Sequence, residues 1–334
     1  MRVLIIRCGA LGDLVYATSV IDALKAQYGE DTIIDFVSTP GSSKIFEKDP
    51  RIHHIFPLKH KKIPLLLSKQ KKELVRASEK EPYDLLINFE FGKQFRSLVE
   101  TVKAEQKVGA LVEKIVFPRE IVHMVDIIRY MFKDVVSNNV YEQSFPRLIG
   151  TDTKTVQKKY NLPEHFMIIS PSNSHQKRNI INYRAWPNEH WKKLLQKLSS
   201  TSLPIVLIGN KNEEEFFKHL QPYPENVIDL VGKTPLSDLI SVIELAHALV
   251  ATDTGTAHIA SAVNTEVFAL IGPTPADQTG PYQTKHNRVH IISMHLPCSP
   301  CYKTEVMKQC KDNICMKQIT PEMVYESILS AKIV

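Results

Sequence analysis

The feature that most restricts what this chain can become is a rhythm: short apolar, β-branched runs alternate with longer helical stretches, and the whole pattern plays twice. In the first half Val3 to Arg7 reads as a buried strand, Leu14 to Tyr28 as a helix, Thr32 to Val37 as a strand and Tyr83 to Asn88 as another. Unbroken apolar runs separated by helices are the mark of parallel strands covered on both faces. After Phe145-Pro146-Arg147 comes a polar stretch, Gly150 to Lys159, then Asn161-Leu162-Pro163-Glu164, and the rhythm restarts at Phe166 to Ser170. Strands follow at Pro204 to Gly209, Val227 to Leu230, Ala248 to Thr252 and Val267 to Ile271, with helices at Pro187 to Leu198, Leu236 to Ala246, Thr256 to Val263 and Pro321 to Ala331. The expectation is an α/β protein of two doubly wound domains facing a shared cleft, residues 1–150 and 160–334, with the last helix free to pack back on the first. Ligands of such sheets settle beyond the carboxyl ends of the strands, so the loops after each strand are where chemistry should lie.

Composition narrows the class. A chain of 334 residues, 43% hydrophobic and 23% charged, has enough core for two domains and is neither disordered, collagen-like nor a disulfide-dense miniprotein. No apolar run reaches the about 20 residues that cross a bilayer. Arg7 and Asp13 interrupt the opening M-R-V-L-I-I-R-C-G-A-L-G-D before a signal-peptide core forms, which points to the cytoplasm. Arg7 also spoils the small-residue pattern that would make Cys8 a lipid attachment site. The five cysteines therefore read as reduced thiols or metal ligands before disulfides. A net charge of +6 suits an anionic partner without choosing among nucleotide, nucleic acid and lipid.

Four loops carry the chemistry. Arg7-Cys8-Gly9-Ala10-Leu11-Gly12-Asp13 has the glycines of a dinucleotide fingerprint but not the fingerprint itself: Arg7 replaces the first glycine, and Asp13 places a negative charge where a pyrophosphate would sit. What it offers is a carboxylate at the end of a strand, either a general base or the cap of a helix beginning at Leu14. In the second half, Asp253-Thr254-Gly255-Thr256-Ala257-His258 follows a strand and opens a helix, so its backbone N–H groups suit a diphosphate and Asp253 suits sugar hydroxyls, unless the turn serves only to cap the helix. The strand ending at Ser170 leads into Pro171-Ser172-Asn173-Ser174-His175-Gln176-Lys177-Arg178, and Arg184-Ala185-Trp186-Pro187 follows. Arg184 is either a bidentate phosphate ligand or a solvated surface cation. Gly272-Pro273-Thr274-Pro275 would complete the wall.

Taken together and in order, R-C-G-A-L-G-D, R-A-W-P, D-T-G-T-A-H and G-P-T resemble the bacterial heptosyltransferases of glycosyltransferase family 9 across nearly the whole chain. The resemblance implies the GT-B fold, an ADP-heptose donor, a lipopolysaccharide inner-core acceptor and one inverting displacement without a catalytic metal. It assigns the catalytic aspartate to Asp13 and donor binding to Arg184, Asp253, Thr254, Gly255, Thr256, Ala257 and His258, and it puts Arg184 where the family has a lysine; Ser172 and Asn173 are expected to join the donor site on the polar residue types of their own loop. The segment around Lys59, Lys61 and Lys62, with Lys69, Lys71 and Lys72 after Ile63-Pro64-Leu65-Leu66-Leu67, is both cationic and apolar and is expected to meet a phosphorylated acceptor at the inner membrane face, or else to be a solvated helix face. Nucleic acid is not expected, since no recognised module accompanies the charge. Cys298, Cys301, Cys310 and Cys315 have the residue types of a structural zinc or iron site, against unliganded thiols or disulfides. Competing expectations are a sibling transferase using another nucleotide sugar or a protein acceptor, a noncatalytic nucleotide-binding module and, last, a nicotinamide oxidoreductase.

Overall fold

The apolar run that opens the chain becomes β1 (Arg2–Ile6) in a computed structural model that describes residues 1–59, 68–171 and 181–334. Val3 to Ile6 are fully buried, because helices cover both faces of the sheet to which they belong. β1 pairs in parallel with β2 (Ile33–Ser38) on one side and β4 (Tyr83–Asn88) on the other. With β3 (His54–Pro57) and β5 (Ala104–Gly109) outside them, the order among the described residues is β3-β2-β1-β4-β5.

The same grammar builds a second sheet from β6 (Met167–Ser170), β7 (Ile205–Leu207), β8 (Val227–Asp229), β9 (Ala248–Thr252), β10 (Glu266–Leu270) and β11 (Val289–Ile292). Its order among the described residues is β11-β10-β9-β6-β7-β8, parallel throughout. The chain divides into Met1–Gly150, which holds the first sheet, and Thr151–Val334, which holds the second. In each unit one strand pair marks where the winding reverses: β1 beside β4, with Ile6 opposite Asn88, and β6 beside β9, with Ser170 opposite Ala251. Loops leaving such a pair diverge to opposite faces and open a crevice at the strand ends.

Two local expectations need correction. The helix expected from Leu14 to Tyr28 is two helices, Leu11–Ala17 and Ser19–Tyr28. Thr18 separates them because its N–H and its hydroxyl both bond Val15 O, at 3.1 and 2.7 Å, tightening the turn. The polar stretch from Gly150 to Lys159 is not a linker but carries the helix Thr153–Tyr160, capped by Asp152 Oδ1, which accepts from Thr155 N at 2.8 Å. Asp238 accepts from Thr151 Oγ1, Lys159 Nζ and Tyr160 Oη at 2.6 to 2.8 Å, so this helix belongs to the second unit. The last helix, Pro321–Ser330, packs into the second unit's own core: Val324 and Ile328 join Trp191 and Leu195 of the helix Asn188–Leu198.

Gly109 closes β5 with φ at +95°, and a Cβ there would stand 2.3 Å from Asn88 O. Gly109→Ala should therefore cost about 1–3 kcal/mol, read from the urea unfolding midpoint.

Candidate active site

In the first unit the loop after β1 and the loop after β4 build one charged cluster. The helix following β1 starts at Leu11, not at Leu14, so Asp13 lies inside its first turn, and its Oδ2 accepts from Ala10 N at 2.9 Å. Its other oxygen, Oδ1, accepts from Arg7 Nη2 at 2.7 Å. Capping and charge pairing thus share one carboxylate, which remains 36% exposed and keeps a lone pair on each oxygen. Gly9 allows this fold-back: a Cβ at that position would be 2.5 Å from Asp13 Oδ2.

Arg7 is nearly buried, and a buried guanidinium needs its donors satisfied. It donates to Phe89 O at 2.9 Å and stands 3.7 Å from Glu90 Oε1. Glu90 in turn accepts from Cys8 N at 2.7 Å and is fixed by Asn88, whose Oδ1 accepts from Glu90 N at 3.1 Å and whose Nδ2 donates to Glu90 O at 3.0 Å. Burial raises the Glu90 carboxyl above its ordinary 4.5, against the lowering pull of Arg7 and Cys8 N and with a further raising push from Asp13. Burial also pushes the Cys8 thiol far up, followed by the Glu90 charge, so Cys8 is an inert strand-end residue.

In the second unit Arg184, which lies between β6 and the helix Asn188–Leu198, comes against the turn after β9. Arg184 Nη1 reaches Asp253 O and Asp253 Oδ2, each at 3.3 Å, and Arg184 is too enclosed to be a solvated surface cation. His258 Nε2 stands 3.9 Å from Asp253 Oδ1. Asp253 and His258 are buried, at 6% and 7% exposure. The helix Gly255–Ala262 begins there, and the first N–H groups of any helix, here those of Gly255, Thr256 and Ala257, lack intrahelical acceptors. A row of hydroxyls borders that helix mouth: Ser170 Oγ is 3.0 Å from Thr256 Oγ1, itself 2.8 Å from Thr254 Oγ1. The arrangement gathers backbone donors, hydroxyls, one cation and one carboxylate around a single turn, which is diphosphate and polyol chemistry.

The remaining expected residues fare unevenly. Ser172 and Asn173 lie outside the described residues, as do Lys61 and Lys62. Lys59 is exposed just beyond β3, whereas Lys71 is not a free cation: it is buried and donates to Ser97 Oγ, and burial holds its ammonium below the usual lysine range. All five cysteines are free thiols. Cys315 is pushed up to about 11 by burial and then by Cys301, Cys298 and Cys310, so the four sulfurs of the late segment feel one another. Their donor set suits zinc or iron, yet among the described residues no three His, Cys, Asp or Glu side chains are drawn together as ligands to one ion.

A family model described as glycosyltransferase family 9 (heptosyltransferase) matches residues 95–311. The chain belongs to glycosyltransferase family 9. It is 31% identical over 153 residues to lipooligosaccharide heptosyltransferase 2 of Haemophilus influenzae, a match spanning 43% of this chain and 42% of that relative. The solved structure of the glycosyl transferase family 9 from Veillonella parvula is similar at a TM-score of 0.80 and 16% identity, over 98% of this chain and 96% of that one. Escherichia coli ADP-heptose lps heptosyltransferase II follows at 0.76 and 19%, over 100% and 98%. These structures carry the fold, so the expected GT-B architecture is present. The family match includes Arg184 and the Asp253–His258 turn, while Asp13 lies before it.

Two residues of these clusters escape the motif reading. Glu90 stands in N-F-E-F-G immediately after β4, where the rule of searching strand ends would have found it, and Tyr302, whose ring lies 4.5 Å from Arg184 Cζ, has no sequence signal at all.

Because folding raises the Glu90 proton affinity, the folded chain holds that proton more tightly than the unfolded one. This group therefore favours folding fully below about pH 4.5 and loses that contribution as pH rises through its folded value. Glu90→Gln, which cannot ionise, should gain stability relative to the native chain between about pH 4 and about pH 7, with the gap closing in acid; urea midpoints across that window measure it.

Proposed function

We propose that this chain moves a heptose from ADP-heptose to a hydroxyl of the lipopolysaccharide inner core with inversion at the anomeric carbon. The observation that carries the reading is the turn where Arg184 is held against Asp253 at the mouth of the helix Gly255–Ala262. Names of family relatives supply the donor and acceptor classes: the E. coli structure is an ADP-heptose lps heptosyltransferase, and the Haemophilus relative is a lipooligosaccharide heptosyltransferase.

In this reading Asp13 takes the proton of the acceptor hydroxyl as that oxygen bonds to the anomeric carbon, and the bond from that carbon to the diphosphate oxygen breaks, its electron pair leaving with ADP. Arg7 and Ala10 N hold the Asp13 carboxylate in one rotamer, while each of its oxygens keeps a lone pair for the proton. Negative charge grows on the departing diphosphate, so Arg184 and the N–H groups of Gly255, Thr256 and Ala257 act most strongly in the transition state. Thr254 and Thr256 hydroxyls, with Ser172 and Asn173 of the stretch that follows Ser170 in sequence, would complete the phosphate contacts, and Asp253 and His258 would meet sugar hydroxyls. Lys59, Lys61 and Lys62 would face the anionic acceptor from the cytoplasmic side of the inner membrane. No helix among the described residues is long and apolar enough to cross a membrane.

Asp13→Asn, which preserves shape but cannot accept the proton, should lower transfer by about 10²–10⁴-fold while ADP affinity by calorimetry stays near native. Near-native turnover would remove Asp13 as base. Arg184→Ala should weaken ADP binding roughly tenfold or more. A donor screen by thermal shift, in which ADP-heptose stabilises the chain more than UDP- or GDP-sugars, tests donor class; preference for another nucleotide, or transfer to a protein acceptor, overturns the corresponding half.

The four late cysteines, Cys298, Cys301, Cys310 and Cys315, are in the same reading the ligand set of a structural zinc or iron site, a reading carried by their residue types. Protein purified under reducing conditions should carry about one equivalent of metal per chain; its absence, together with four titratable thiols in that segment, ends this part.

A further inference from the structure

The segment from Cys298 to Cys315, which the transfer mechanism leaves without a part, is built around Arg184. Its first end is fastened to the turn after β10: Cys301 N and Tyr302 N donate to Pro273 O at 2.8 and 2.9 Å, and Ser299 Oγ donates to Gly272 O. Gly272 has no Cβ to spare, since one would meet Cys315 Sγ at 2.8 Å. Its other end grips the residues on both sides of Arg184. Asn313 Nδ2 donates to Ala185 O at 2.8 Å and to Asn182 O at 3.3 Å, and Tyr183 Oη donates to Cys310 O at 3.2 Å. Immediately beyond, Ile319 O accepts from the buried Trp186 Nε1 at 2.7 Å.

Between these anchors the Tyr302 ring lies 4.5 Å from Arg184 Cζ. A guanidinium has two kinds of surface: a flat face that stacks on aromatic rings and an edge of N–H donors that lies in its plane. Stacking uses the face alone. The edge stays available, and in this structure one of its nitrogens already points to Asp253 O and Oδ2. A long, flexible side chain otherwise loses rotamer entropy when it takes hold of a phosphate, and a ring that fixes the plane beforehand removes part of that cost.

We propose that Tyr302 is a positioning residue for the donor: its ring sets the plane of Arg184 so that the guanidinium edge is presented to the diphosphate at the Asp253–Gly255 turn. The inference rests on the donor reading of that turn. The phenol hydroxyl has no part in it, because only the π-face is used.

The test is a double-mutant cycle read by calorimetry with ADP and, separately, with adenosine. Tyr302→Leu should weaken ADP binding about three- to tenfold, the range a cation–π contact supports, and leave adenosine binding within about twofold. Tyr302→Phe should bind ADP as the native chain does. In an Arg184→Ala background, Tyr302→Leu should add no further loss, since the residue it positions is gone. The inference is overturned if Tyr302→Leu binds ADP normally, if Tyr302→Phe is as weak as Tyr302→Leu, or if the loss persists undiminished without Arg184 or extends equally to adenosine, which would mark general loosening of the segment. Native protein that binds no ADP removes the donor reading and this inference together; native ADP binding indifferent to Tyr302→Leu removes the inference alone.

Discussion

Where β1 lies beside β4, and again where β6 lies beside β9, the winding of the sheet reverses, and the loops that leave each pair must part. Every other feature of the two clusters follows from that constraint. In the first unit the parting loops bring Arg7 and Asp13 of one strand end against Glu90 of the other. In the second they bring Ser170 against Thr256, and Arg184 against Asp253. Neither cluster is a property of one peptide segment. Each exists because parallel strands in register deliver distant residues to the same height.

The two clusters solve the cost of enclosed charge differently. Arg7, buried between two carboxylates and a carbonyl, has its donors matched on several sides, so Asp13 is oriented rather than neutralised by a single partner. Arg184 has its Cζ 4.5 Å from the centre of an aromatic ring and one nitrogen toward a carboxylate, a setting that leaves its other donors less fully matched than those of Arg7. The first suits a group that must stay in place while a proton arrives. The second suits a group that must take up charge as it develops.

Much of this was legible from residue order. β4 and β9 have the bounds their apolar runs announce, and the Asp253–His258 motif opens a helix as its Thr-Gly-Thr composition demands. The errors fall where local patterning is weak or overridden. Thr153–Tyr160 holds one buried residue, Val156, so its helical period was invisible, and the side chain of Asp152 that starts it looks like any loop aspartate. Thr18 interrupts a continuous apolar stripe through a hydroxyl-to-carbonyl bond that no hydropathy pattern registers. Lys71 looked like one more cation in a basic stretch until packing buried it.

By itself the sequence determined the parallel α/β architecture, the strand ends at which to search and the chemical types gathered there, because those depend on periodicity and on residues adjacent in the chain. Only the tertiary structure decided that Glu90 backs Arg7 across more than eighty residues, that a single carboxylate both caps a helix and pairs a cation, and that a cysteine-bearing segment carries the ring beneath Arg184. The reason is physical: such contacts depend on which faces of distant elements are pressed together when the core closes, and a burial pattern records that a face is covered without recording by what.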